Sequence, residues 1–319
     1  MKENITRRNF LQTSAVVGVG SALSFPALSS ASFYQKNQQE GLEIHVFSKH
    51  LQFLNYKDSA EAAAEIGFNG LDLTVRPKGH VLPERVADDL PKAADALKSA
   101  GFQPKLMTTA ITNAEELSSR QVLETAASLG IKFYRMGSYR FDEELPIPYH
   151  IEKCSEQVAA LSKLNEKLKI KGGYQNHAGL RVGAAIWEIW QLLGKVKNDY
   201  MGCQYDIRHA TVEGGLAWPT GLKLIEPKIK TIVLKDFLWK NINGIWKVVN
   251  VPFGEGMVDF DAYFKMLKRL KIKVPVSMHY EYDLGGAEHG KSDLSIDRKE
   301  VFKAMKRDLT RAREAWEKA

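Results

Sequence analysis

The chain has 319 residues, 44% of them hydrophobic and 26% charged. This is a globular composition that excludes a disordered tail protein and a membrane bundle. Its formal charge of +7, from 45 Lys and Arg against 38 Asp and Glu, is too mild and too dispersed to argue for a nucleic-acid partner. Two cysteines, Cys154 and Cys203, exclude a disulfide framework and any cysteine-rich zinc or iron–sulfur centre.

The N-terminal segment carries Arg7-Arg8 before Phe10-Leu11, then a weakly apolar run over residues 13–28. That pattern reads as a twin-arginine export signal over residues 1–31, with Ser29 and Ala31 suited to cleavage. It predicts an exported, periplasmic protein, membrane-tethered if the signal is retained. A basic amphipathic helix of the folded domain conflicts with Gly18, Gly20 and Pro26. The run is also shorter than the ~20 apolar residues a membrane span needs, so no span is expected after signal removal.

Across residues 32–319, short apolar runs alternate with longer helical ones. The spacing predicts strands over 42–47, 70–75, 104–111, 132–137, 170–176, 201–206, 230–235 and 274–280. It predicts helices over 60–66, 91–100, 114–129, 151–168, 184–196, 260–270 and 298–316. Most of these strands are apolar on both faces, as in a parallel sheet covered on both sides. Helices run into glycine and then an apolar strand at Ile66-Gly67-Phe68 and Leu129-Gly130-Ile131. The eight units predict an α/β protein, a single-domain (β/α)8 TIM barrel. A doubly wound sheet would carry G-x-G-x-x-G after its first strand, and no such motif stands there. Residues 237–256, with Trp239, Gly244 and Trp246, read as a loop insertion after the seventh strand.

Barrel active sites lie at the C-terminal ends of the strands. There the second strand carries Asp72, Thr74 and Arg76, with His80 beyond, and the fourth carries Arg135. The fifth gives Tyr174-Gln175-Asn176-His177 and the sixth Tyr205-Asp206-Ile207-Arg208-His209. The seventh gives Lys235-Asp236 and the eighth His279-Tyr280-Glu281. Period-two alternation puts Gln175 with His177, Asp206 with Arg208, and His279 with Glu281 on shared faces. A single polar residue at a strand end is ordinarily a satisfied structural group. Charged and polar residues at one rim from six strands point to a site, because charges are seldom buried without a partner or a task.

These segments, with Pro252-Phe253-Gly254-Glu255-Gly256-Met257-Val258-Asp259-Phe260 fitting a Pro-x-Gly-x-Gly-x-x-Asp-Phe pattern, resemble the xylose isomerase-like sugar phosphate isomerase/epimerase superfamily. The resemblance covers essentially the whole chain after the leader. It implies a TIM barrel acting on a small-molecule carbohydrate, with one divalent metal ion held by Glu, Asp, His and Glu from strands five to eight. Asp206 matches the aspartate, with His209 three residues on, and Gln175 stands in the place of the first glutamate. Val233 falls near the histidine position, and His279 near the last glutamate, with Glu281 two residues beyond. The implied ligands are Gln175, Asp206, His279 and His209, whose O and N donors would suit Mn²⁺, Mg²⁺, Zn²⁺ or Co²⁺. The alternative is a site that has lost its metal and holds sugar by hydrogen bonds alone.

Gln175 can coordinate but cannot carry a proton, so a symmetric two-glutamate mechanism is not expected. His279 or Glu281 is the first candidate base, with His177, His209 and Lys235 as alternatives. Arg76, His80, Arg135, Arg208, Asp236 and Trp239 are candidate substrate contacts, the arginines for a carboxylate or for sugar hydroxyls. The expected function is isomerisation or epimerisation of a sugar or keto-sugar, metal-assisted, by proton abstraction next to a carbonyl. Metal-assisted elimination across a 3-keto-glycoside and non-catalytic sugar binding are the alternatives. A homo-oligomer is left open.

Overall fold

The protein's structure, a computed structural model, describes residues 41–319. The export signal expected over residues 1–31 lies outside the described residues. In chain order the strands are β1 (Ile44–Phe47), β2 (Gly70–Val75), β3 (Leu106–Thr109), β4 (Phe133–Arg135), β5 (Lys171–Gln175), β6 (Met201–Asp206), β7 (Ile229–Leu234), β8 (Asp236–Ile242), β9 (Ile245–Val251) and β10 (Val276–Met278). The helices are α1 (Tyr56–Ile66), α2 (Val86–Ser99), α3 (Leu117–Ser128), α4 (Ile147–Leu168), α5 (Ile186–Leu192), α6 (Ile207–Gly214), α7 (Trp218–Ile225), α8 (Phe260–Arg269) and α9 (Arg298–Lys318). Eight parallel strands close in the order β1-β10-β7-β6-β5-β4-β3-β2, the TIM barrel that the alternation of elements implies. Among the described residues no helix is long and apolar enough to cross a membrane.

Local chemistry explains most element boundaries. The Asn55 side chain accepts from the Asp58 N–H at 2.9 Å and starts α1, which Gly67 ends in the left-handed region at φ 106°. Its Ala60, Ala63 and Ile66 are buried on one stripe. The expected start of the second helix at Pro91 is five residues late. α2 begins at Val86 and carries Pro91 inside, because the buried stripe of Val86, Leu90, Ala94 and Leu97 outweighs one forfeited backbone bond. α6 and α7 occupy a connection for which no helix was expected, as eight-residue helices with Gly and Pro give little periodic signal.

The insertion after β7 is not a loop. β8 and β9 pair antiparallel from Asp236↔Val251 to Ile242↔Ile245, around a two-residue Asn243-Gly244 turn. Both turn residues have positive φ, 54° and 83°, which is what a type I′ hairpin requires and what Asn-Gly supplies.

Register then sets the site. Asp206 pairs with Val233 and Met278 with Leu234, so the residues following β6, β7 and β10 leave the barrel at one mouth. Asp206 also caps α6, accepting from the His209 N–H at 3.1 Å, which turns His209 back toward the aspartate's other oxygen.

Candidate active site

At the centre of the mouth stands Lys235, the first residue beyond β7, with its side chain 3% exposed. Its Nζ lies 3.3 Å from Asp206 Oδ2, 3.1 Å from Glu281 Oε2 and 2.8 Å from His209 Nε2. Gln175 Nε2 donates to the same Asp206 oxygen at 2.8 Å, while its Oε1 accepts from Arg135 Nη1 at 2.9 Å. Burial and Lys235 hold His209 well below its ordinary pKa, so the ring is neutral. Burial pulls Glu281 upward, but Lys235, His279 and Lys49 outweigh it and hold the carboxyl well below its usual range. Glu281 is therefore ionised throughout the neutral range.

Above this cluster opens a cavity of about 390 Å³. Its polar wall includes Lys49, Arg76, Arg135, Arg181, His177 and Glu281, and Phe47 and Gln175 also line it. His177 Nδ1 meets the Ala178 carbonyl at 2.9 Å, which places the proton on Nδ1 and leaves Nε2 as the acceptor. Burial and Lys235 lower its pKa to about 4. The ring packs on His209 with centroids 4.0 Å apart. Lys49 and Arg181 were not among the expected contacts. Lys49 sits in a turn after β1, a strand with no polar rim residue of its own, and Arg181 lies in the long β5–α5 connection.

Several expected site residues stand elsewhere. His279 stacks on the far side of Phe47, centroids 4.3 Å apart, with Nε2 on Ser277 Oγ at 3.1 Å, and burial lowers its pKa to about 3. It does not line the cavity, so the first-choice base narrows to Glu281. His80 is half-buried, with Nε2 on the Leu54 carbonyl at 3.2 Å, and it does not line the cavity. Arg208 is one layer back, with Nη1 on His209 Nδ1 at 2.9 Å and Nη2 donating to Asn250 Oδ1 at 2.7 Å. Trp239 sits on the β8–β9 hairpin, 40% exposed and edge-on to Phe237.

Asp236 is a structural clasp instead of a substrate contact. Its Oδ1 accepts from the N–H groups of Phe237 (2.8 Å) and Val258 (3.2 Å), and its Oδ2 from those of Gly254 (3.0 Å) and Gly256 (2.9 Å). Gly256 is required for this approach, since a Cβ there would lie 2.3 Å from Asp236 Oδ1. Asp236→Asn turns an amide NH₂ toward these donors and should cost about 2–3 kcal/mol in chemical denaturation while sparing cavity affinity. A substrate contact would show the reverse pattern, lost affinity at unchanged stability.

The expected metal ligands do not fit a divalent ion. Lys235 Nζ occupies the space between Asp206, His209 and Glu281 where a cation would sit. Gln175 has both amide atoms engaged, and His279 is turned behind Phe47. Among the described residues no group of three or more His, Cys, Asp or Glu side chains is disposed to hold a metal ion. A metal would have to displace a tethered cation from two carboxylates, and no step below runs through one.

Solved structures with this fold include the IolI protein with a bound zinc atom, at 18% identity and TM-score 0.65, covering 86% of this chain and 99% of that one. D-psicose 3-epimerase with D-tagatose from Clostridium cellulolyticum H10 superposes at 12% identity and TM-score 0.63, covering 86% and 98%. The 3-keto-D-glucoside 4-epimerase of E. coli does so at 14% identity and TM-score 0.60, covering 86% and 99%. No curated protein sequence matches the chain. The model of the xylose isomerase-like TIM barrel family matches residues 60–307, which spans the strands from β2 to β10 and every residue of the buried cluster, and the chain belongs to that family.

Proposed function

We propose that the protein is an isomerase- or epimerase-like enzyme acting on a sugar or keto-sugar by proton transfer next to a carbonyl. The observation that carries this reading is the pairing, in one cavity, of an ionised carboxylate with a neutral imidazole whose Nε2 is free to accept. Glu281 and His177 reach that cavity from β10 and β5, strands separated in the barrel by β7 and β6. Glu281 takes the proton from the carbon beside the carbonyl, and His177 Nε2 moves the neighbouring hydroxyl proton to the former carbonyl oxygen as the double bond shifts. Glu281 then returns its proton to carbon, so both groups end as they began. Negative charge developing on the substrate oxygen falls beside Lys49, which lines the cavity 3.6 Å from Glu281 and needs no reorganisation. The epimerases that share the fold act on sugars and keto-sugars, which supports a substrate of that class.

A screen of free, phosphorylated and 3-keto sugars in D₂O tests this reading. The expected result is deuterium appearing at a carbon beside the carbonyl of at least one of them, at a rate above the buffer control. Absence of exchange across the screen would leave only a binding role. The asymmetry of the pair, one carboxylate facing one imidazole with Gln175 in place of a second acid, also favours elimination across a 3-keto-glycoside. Aglycone release in the same screen separates the two.

A further inference from the structure

The cavity wall carries more positive charge than the protein neutralises. Arg76, Arg135, Arg181 and Lys49 line it against a single carboxylate, Glu281, which Lys235 and Lys49 already share at 3.1 and 3.6 Å. Among the described residues none of the three arginines makes an ion pair. Arg135 donates to the neutral Gln175 at 2.9 Å and Arg181 Nη1 to Ser138 Oγ at 2.5 Å. Arg76 Nε is buried with no hydrogen-bond partner. The guanidinium carbons of Arg76 and Arg135 lie over the same Phe47 ring, 5.5 and 5.7 Å from its centroid, a contact that adds attraction but no countercharge.

The nearby buried carboxyl, Asp72, attracts Arg76 and Arg135 but makes an ion pair with neither. Its oxygens accept from Thr108 Oγ1 at 3.0 and 3.1 Å and from Ser277 Oγ at 2.6 Å, and burial raises its pKa. Burial and then the repulsion of Arg76 pull Arg135 down to about 10. Guanidinium groups brought together at a desolvation cost, with no carboxylate in contact with any of them, are matched by a ligand that brings further negative charge.

We infer that the cavity binds a sugar bearing an anionic group, a carboxylate or a phosphate ester, which Arg76, Arg135 and Arg181 hold. This rests on the isomerase reading for the rest of the molecule it would act on, but the anion site stands on its own residues. The volume, about 390 Å³, lies within the ~300–1,000 Å³ of small-molecule sites and leaves room for a monosaccharide. The planar guanidinium forks would fix the anionic group and leave the remainder of the sugar to face Glu281 and His177.

Isothermal titration with D-glucuronate, D-glucose 6-phosphate and D-glucose tests the inference on one carbon skeleton. At least one charged probe should bind roughly 30-fold tighter than glucose, the scale of two or more charge-assisted hydrogen bonds, with affinity weakening as salt is raised. Preference for glucuronate assigns a carboxylate, and preference for the phosphate ester assigns a phosphate. In Arg135→Gln the gap should close to within about threefold. Arg76→Gln, at a less embedded position, should narrow it as well and serves if the first variant fails to fold. Equal binding of glucose and the charged probes, no binding by any, or a gap that survives both substitutions would overturn the inference. Deuterium exchange, measured on the same samples, is scored separately. Exchange without charge discrimination removes the anion site alone, and discrimination without exchange in any substrate removes the isomerase reading alone.

Discussion

Lys235→Ala is expected to lose about 3–5 kcal/mol of folding stability at neutral pH, the scale of breaking one partner out of a buried ion cluster. Lys235 is 3% exposed and Asp206 fully buried, and the lysine touches both Asp206 and Glu281. Without it, two carboxylates face one gap with no cation nearer than Lys49, 3.6 Å from Glu281. Their other partners are neutral or weakly basic: Gln175 Nε2, the His209 ring and N–H, and the His279 ring. A surface pair would lose less than about 1 kcal/mol, so denaturant titration separates a central cation from an incidental one. The loss should shrink as pH falls and Glu281, no longer held low by Lys235, takes up a proton. The same variant also opens the cation position. Mn²⁺ or Zn²⁺ should leave the melting temperature of the wild-type protein unchanged and raise that of Lys235→Ala. Exhaustive dialysis against a chelator should leave wild-type turnover intact. One tightly held ion per wild-type chain, with turnover lost on its removal, would contradict the placement of Lys235 as the resident cation.

That placement shows where reading the sequence ends. The eight strands are legible because each is a short apolar run, and the runs at 70–75 and 201–206 coincide end to end with β2 and β6. β3, β4 and β10 are shorter than their apolar runs, because residues that continue an apolar run go on to pack against the helices after the ladder has ended. Alternation correctly gathers Asp206, Lys235 and Glu281 to one mouth and His279 to within 3.7 Å of Glu281, but it gives both residues to the cavity, which only Glu281 lines. The strand stops at Met278, so residues 279–281 no longer obey a period of two, and the ring turns behind Phe47 while the carboxylate turns inward. The reach of a lysine stem into the gap between two other strand ends is a tertiary fact with no sequence signature. The hairpin was legible after all, since Asn243-Gly244 between runs containing Trp239 and Trp246 is a standard two-residue turn.

Glu281→Gln should lower kcat by about 10²–10⁴, the contribution of a positioned general base, while leaving affinity for an anionic sugar unchanged or improved. The reason is electrostatic. Glu281 is the sole carboxylate on the cavity wall among the described residues, and removing its charge leaves Lys49 and the arginines free to act on the ligand. A merely structural glutamate would lose affinity and turnover together, so the split between kcat and binding is the diagnostic readout. The pH profile adds a second constraint. His177 protonates at about 4, so kcat/KM, which reports the free enzyme, should fall as pH drops through that value because the imidazole then has no lone pair to offer. A rate that rises there would make His177 a donor instead. Once an anionic substrate enters, its charge offsets the lysines and arginines that depress both groups, and a nearby negative charge raises the pKa of an imidazole and of a carboxyl alike. The acid limb of kcat should therefore lie at higher pH than that of kcat/KM, and a neutral substrate should leave the two limbs together. In that case the correct substrate offsets the cations that hold Glu281 low and that, after burial, lower His177, and so makes both groups stronger bases than they are in the free protein.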